Sequence, residues 1–153
     1  MLADWLIVIG SVLLLGSLFL TWSHQFSRSI LAAYGRSELL RGVPRDPTAW
    51  QVYSVMDIAL ALLAIGLFVA ALIGARRSRI GAFAGCVIAL AFTLHAVGDP
   101  PTNHATIFDP ALGAPGYVPD SPGAGVGETL AIMALVAAIA GLGLSFTADR
   151  GPA

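Results

Sequence analysis

The chain has 153 residues, of which 57% are hydrophobic and 11% charged, against about 25% charged in an ordinary soluble domain. Eight basic and nine acidic residues leave a formal net charge of −1, which offers no cationic surface to a phosphate backbone and argues against nucleic-acid binding. A single cysteine, Cys86, lies in an apolar run. It permits neither an intrachain disulfide nor a redox pair, and so excludes four-helix enzymes that pass electrons from paired thiols to quinones.

Four apolar stretches are each long enough to cross a bilayer, and the segments between them hold almost all the proline, arginine and aspartate. The first, Leu6 to Thr21, is bracketed by Trp5 and Trp22. This 18-residue unit would rise about 26 Å, with an indole anchor at each interface. A cleaved signal peptide is the rival reading, but Met-Leu-Ala-Asp4 carries no basic residue and no small-x-small site follows Trp22. The second run, Ile58 to Gly74, has two possible helix starts. Asp46-Pro47 offers an N-cap and a first helical proline, and Ser54-Val55-Met56-Asp57 fits a capping box. Ala75-Arg76-Arg77-Ser78-Arg79 then leads into a third run, Ile80 to Val97, and so short a link makes an antiparallel hairpin. Gly98, followed by Asp99-Pro100-Pro101, suits the C′ position that ends this helix. The last run, Thr129 to Thr147, has Glu128 at its positive dipole end. The expected fold is all-α, a membrane-spanning four-helix bundle in one domain, with helices at about 5–22, 50–74, 80–97 and 128–147.

Two long connections, Ser23 to Ala49 and Gly98 to Gly127, lie on one face of the membrane, and the latter holds six of the nine prolines. Within the former, Phe26, Ile30, Ala33 and Tyr34 share one side of a helical wheel while Arg28 points away. This is the pattern of a short interfacial helix ending at Gly35, with a solvated loop as the equal alternative. Arg76, Arg77 and Arg79 at the tight turn and Arg150 after the last helix place both termini in the cytoplasm. Arg28, Arg36, Arg41 and Arg45 oppose that count, and acidic Asp99, Asp109 and Asp120 in the other long loop break the tie.

Small residues let helix backbones approach in lipid, where leucine has no preference for protein over hydrocarbon. They recur as Gly81, Gly85, Ala89 and Thr93 on the third helix, Ala134, Ala138, Gly141 and Ser145 on the fourth, and Ala3, Gly10 and Ser17 on the first. Packing within the chain is the favoured reading, and dimerisation the alternative.

Charge at membrane depth costs about 2.5 to 3.5 kcal/mol at a helix centre, so an intramembrane acid is a functional candidate. Asp57 is the one that qualifies, as a cap, with an internal Arg partner, or through ion or proton handling. His24, His95 and His104 are expected toward the same face as Asp57, Asp99, Asp109, Asp120 and Glu128. Imidazoles with carboxylates suit zinc or a similar divalent ion. The candidate metal ligands are therefore His24, His95, His104 and Asp99, with haem between His24 and His95 as a further alternative to no cofactor. The glycine-rich Gly123-Ala-Gly125-Val-Gly127 follows no strand and lacks the Lys-Ser/Thr of a nucleotide loop, so it reads as a lead into the last helix. Hydrolase and zinc-protease signatures are absent.

The close of the first helix, Ser17-Leu-Phe-Leu-Thr-Trp22, and the opening of the second, Trp50-Gln-Val-Tyr53-Ser54-Val-Met-Asp57, resemble a group of small four-helix integral membrane proteins of high-GC bacteria. The absence of lysine and the abundance of Ala, Gly and Val point to such a genome as well. That group shows a Phe-Leu-Pro-Trp close, where this chain has Thr21 in place of proline, and a Trp-x2-Phe/Tyr-Ser-x2-Asp opening. The resemblance covers about a tenth of the chain and implies the fold but no activity. It makes Trp22, Trp50 and Asp57 shared features that set the first long loop against the bundle. The leading expectation is a non-enzymatic integral membrane protein, structural or accessory to a larger complex, whose partners are the bilayer and other membrane proteins or a second copy of itself. The alternatives are a metal or haem site at the loop-bearing face, and a small transporter or channel subunit using Asp57.

Overall fold

A computed structural model describes residues 1–26, 45–53, 55–100 and 123–148. Among these the chain is all-α apart from one two-strand ribbon. The elements in order are α1 (Leu2–Ser17), β1 (Ser23–His24), α2 (Ala49–Val52), α3 (Met56–Ile73), α4 (Arg76–Gly98), β2 (Gly123–Ala124) and α5 (Val126–Ala148). Helices α3, α4 and α5 are long and apolar enough to cross a membrane. The 23 residues of α4 and of α5 rise about 34 Å at 1.5 Å each, against a hydrocarbon core of about 30 Å. The shorter apolar helix α1 has 16 residues.

Contacts run from α1 to both α5 and α3, and from α4 to both α5 and α3, with the α1–α5 seam the most extensive. That seam is built of small residues. A Cβ on Gly10 would stand 2.7 Å from the carbonyl oxygen of Ala134 and 2.9 Å from Cβ of Ala138. One on Gly141 would meet the oxygen of Ala3 at 2.7 Å. The stripes expected on the first and last helices thus face each other. On α4 the expected stripe is corrected: Gly81 is exposed, and the buried face is Ala82, Cys86, Ala89, Thr93 and Ala96. Steps of four residues precess by about 40° each on a helix of 3.6 residues per turn, so Gly81 and Thr93 cannot share one contact line. A face alternating steps of four and three can.

Helix α1 ends at Ser17, five residues before the expected Trp22. Its last turn tightens, with Leu18, Phe19 and Leu20 donating to carbonyls three residues back. Thr21 to His24 then run extended. Thr21 bridges Thr48, and Ser23 and His24 pair antiparallel with Ala124 and Gly123. Trp22 is correspondingly not an interfacial anchor but a fully buried core residue, whereas Trp5 is 62% exposed.

The second expected helix is divided. Thr48 caps the short α2, with Gln51 Oε1 accepting the Thr48 amide at 3.0 Å. Tyr53 then breaks the helix at φ −107°, ψ 142°. Helix α3 begins with Val55 as N-cap, so Asp57 is its second residue rather than the third position of a box opened by Ser54. The turn between α3 and α4 is only Gly74-Ala75, because Arg76 to Arg79 are already helical. Gly74 takes φ +70°, a left-handed angle that costs glycine nothing and other residues about 1 kcal/mol or more. Gly98 proves to be the last residue of α4, and Asp99 caps it, donating its amide to the His95 carbonyl at 2.9 Å.

At the turn end, Arg79 of α4 reaches the Asp4 carboxylate of α1 at 2.9 Å. The Met1 amino group, 3.1 Å away, and the Arg79 guanidinium hold that carboxyl below the usual carboxylate range. The described ends of both long connections gather at the opposite end, through the β1–β2 ribbon.

Candidate functional site

The loop-bearing end is assembled by tertiary hydrogen bonds between backbones. Gly127 donates to the Thr21 carbonyl at 2.7 Å and Gly125 to that of Trp22 at 2.9 Å. The amide of Trp22 in turn donates to the Pro47 carbonyl at 2.9 Å, and that of Gln25 to the Arg45 carbonyl at 3.0 Å. So close an approach depends on missing side chains. A Cβ on Gly125 would overlap the Thr21 carbonyl, and one on Gly127 would stand 2.5 Å from Cδ1 of Trp22. The Thr21 carbonyl thereby serves one of the amides that an isolated α5 would leave without a partner in its first turn.

Beneath the ribbon lies an aromatic floor. The Trp22 indole packs edge-on against Tyr53, with ring centroids 5.7 Å apart, and Tyr53 against Phe92 at 5.3 Å. Trp22 Nε1 donates to the Ser17 carbonyl at 2.8 Å. Phe19 and Trp50 form a further pair at 5.9 Å nearer the surface.

Two carboxyl side chains are buried at this end, Asp57 in the first turn of α3 and Glu128 in the first turn of α5. Asp57 Oδ1 accepts the amide of Ile58 at 2.8 Å, so it serves the helix terminus. Glu128 differs: its residue is 0% exposed, and among the described residues neither carboxyl oxygen has a hydrogen-bond partner. Ser23 Oγ accepts from Gln25 Nε2, and the other buried hydroxyls bond to backbone. Ser11 donates across to Ala64 of α3 at 2.8 Å, Ser17 to Leu14 at 2.6 Å, Ser145 to Leu142 at 2.7 Å and Thr93 to Ala89 at 3.1 Å.

The candidate metal ligands are placed separately. His24 on β1 is exposed, with Nδ1 2.6 Å from the carboxylate of Asp46. His95 and Asp99 are exposed at the end of α4. Among the described residues no three His, Cys, Asp or Glu side chains gather closely enough to hold a metal ion. His104, Asp109 and Asp120 lie outside the described residues, as do the candidate interfacial helix with Arg28 and Gly35, and Arg36, Arg41 and Arg150.

Sequence reasoning treated Glu128 as a dipole complement and missed its isolation. The signal was the spacing of Gly125 and Gly127, which lets a second backbone close over the start of α5. It also missed the His24–Asp46 pair, because contacts between loop residues 22 positions apart leave no periodic trace.

No known protein family matches the chain, and no curated protein or solved structure is significantly similar to it. Its class therefore rests on its own geometry: an all-α protein with three apolar helices of membrane-crossing length.

Proposed function

We propose that the chain is a non-enzymatic integral membrane protein, a membrane-spanning four-helix bundle that serves as a structural or accessory subunit of a larger membrane complex, with both termini cytoplasmic. The observation that carries this reading is an inverted distribution of side-chain size. Alanine and glycine line much of the contact between helices, alongside Ile7, Leu14, Leu60, Leu67, Leu135 and Leu142, while most of the other large apolar side chains point outward on α1, α3, α4 and α5. Leu72 is 71% exposed, and Trp5, Ile9, Val12, Ile58, Leu62, Ile65, Ile88, Leu94, Met133 and Val136 are exposed as well. In water these would form an apolar surface far beyond the few hundred Å² that soluble monomers tolerate. In lipid the arrangement is the expected one, because hydrocarbon solvates the leucines while small residues allow close packing.

Two features support the accessory role. The interior hydroxyls of Ser11, Ser17, Thr93 and Ser145 are committed to backbone carbonyls, and His24 and His95 sit on the surface. With those hydroxyls engaged and Glu128 enclosed, the outward faces are what remains for partners in the plane of the membrane.

The test is extraction followed by gentle purification. The protein should resist alkaline carbonate, enter nonionic detergent, and leave the membrane with defined partner proteins in constant ratio. Release by carbonate would refute the membrane reading. Isolation always as a lone monomer, across several mild detergents, would refute the accessory role and leave the bundle standing.

A further inference from the structure

We propose that Glu128 is a proton-binding site that latches the loop-bearing end of the protein, its proton held while the β1–β2 ribbon is closed and released when the ribbon opens.

The argument starts from the contrast between Glu128 and every other buried polar side chain at hand. Ser11, Ser17, Thr93, Ser145 and Asp57 each have a backbone partner, and Trp22 uses its one donor. Glu128 alone is fully enclosed with both oxygens unpartnered among the described residues. Among the described residues an ionised carboxylate there has no counter-ion, and the Gly125 amide that faces it is spent on the Trp22 carbonyl, a costly state for a buried group. A metal ion would need several further oxygen ligands, and none converges there. A proton needs none. It is the ligand that the site fits.

The surrounding ionisable groups do not offer an alternative. From α1, the nearest such group is Asp4, at the opposite end of the helix. Asp57, on α3, is engaged with its own helix start. On α4, His95 and Asp99 are exposed, and His24, on β1, is exposed and paired with Asp46. Arg45 is exposed too. Tyr53 is the group whose phenol lies in the field of both Glu128 and Asp99. None of them is within hydrogen-bond reach of Glu128.

What makes this a latch is the cover. The carboxyl belongs to the turn of α5 whose flanking amides join the connections, Gly127 to Thr21 and Gly125 to Trp22, beside two strands of two residues each, and it faces the Gly125 amide. Such a ribbon is marginal alone, so local opening is accessible. Opening wets the carboxyl and allows it to ionise; the ionised form then disfavours reclosure. Proton release and opening are therefore linked, and each unit of pH over the range of release shifts the open population by about tenfold.

Glutamate occurs only at positions 38 and 128, so isotopic labelling can isolate the site. The full chain carrying Glu38→Gln is prepared in detergent with carbon-13 glutamate, leaving all label at Glu128. Infrared spectra at neutral pH should contain a labelled carboxylic-acid carbonyl band, retained in Asp57→Asn and absent in Glu128→Gln. A labelled carboxylate band instead overturns the proposal, whatever its partner. Amide hydrogen exchange at Gly125 and Gly127, corrected for intrinsic rates, should lose protection about tenfold per pH unit where the acid band disappears. In Glu128→Gln the protection should be independent of pH. If that variant unfolds, the parent's acid band and its coincidence with the loss of protection decide the matter alone; protection constant through the disappearance of the band also overturns the latch.

Discussion

Replacing Gly10 with alanine should loosen the α1–α5 seam, while the same change at Gly81 should not. At Gly10 the added Cβ would lie 2.7 Å from the Ala134 oxygen, 2.9 Å from Cβ of Ala138 and 3.0 Å from its nitrogen. Ordinary contacts between such atoms are about 3.5 to 4.0 Å, so α1 must move away by roughly 1 Å. Two of the three obstructing atoms are backbone and cannot rotate aside. Overpacking of this kind costs about 1 to 3 kcal/mol, and displacement also weakens the matching contact at Gly141, where a Cβ would meet the Ala3 oxygen at 2.7 Å. At Gly81 nothing lies within 4 Å of the added atom, and alanine should gain up to about 1 kcal/mol of helix propensity. Reversible unfolding in mixed micelles by increasing SDS fraction, followed by circular dichroism, measures both. The midpoint should fall for Gly10→Ala and hold or rise for Gly81→Ala. The double variant Gly10→Ala with Gly141→Ala should cost less than the sum of its parts, because one displacement relieves both clashes. An unchanged or raised midpoint for Gly10→Ala would refute the assignment of this seam.

Three further outcomes follow from the fold. Trp22→Phe removes the 2.8 Å bond to the Ser17 carbonyl but leaves that oxygen the Leu20 amide, so it should cost about 1 kcal/mol. Trp22→Ala, which empties a fully buried site, should cost about 3 to 5 kcal/mol in the same SDS titration. Asp4→Asn takes the counter-charge from Arg79, whose side chain is 12% exposed against 40% for Asp4. The loss should be about 1 kcal/mol because the pair is half in solvent, and raising ionic strength should narrow the gap between parent and variant in thermal unfolding. Finally, His24→Ala and His95→Ala should leave metal content and visible absorbance of the purified protein unchanged. Stoichiometric metal or a haem spectrum in the parent, lost in either variant, would instead support the metal or haem reading.

The apolar helices were legible from composition alone, because their hydrophobicity is a property of each segment in isolation. Runs rich in Leu, Ile, Val and Ala are apolar and helix-prone together, and the placement of α4 and α5 within a few residues of expectation follows from that, whereas the second expected helix is broken at Tyr53. Small residues on the first and last helices were legible for the same reason, since a stripe on one face repeats with the helix. Where a pattern was read at a strict four-residue period, as at Gly81, the precession of the helix moved it out of the contact.

Tertiary structure decided what happens at the helix ends. Trp22 has the composition of an interfacial anchor, and its burial depends on Gly125 and Gly127, more than a hundred residues away in sequence, supplying amides to the Thr21 and Trp22 carbonyls. Those bonds end α1 early and draw the chain into an extended strand. Glu128 occupies a position where any helix welcomes an acid, and only the folded chain makes it a buried carboxyl. Local pattern records which solvent a segment prefers; it carries no trace of which distant carbonyl will claim an amide, and at this end of the protein such pairings set both the helix boundaries and the environment of the acid.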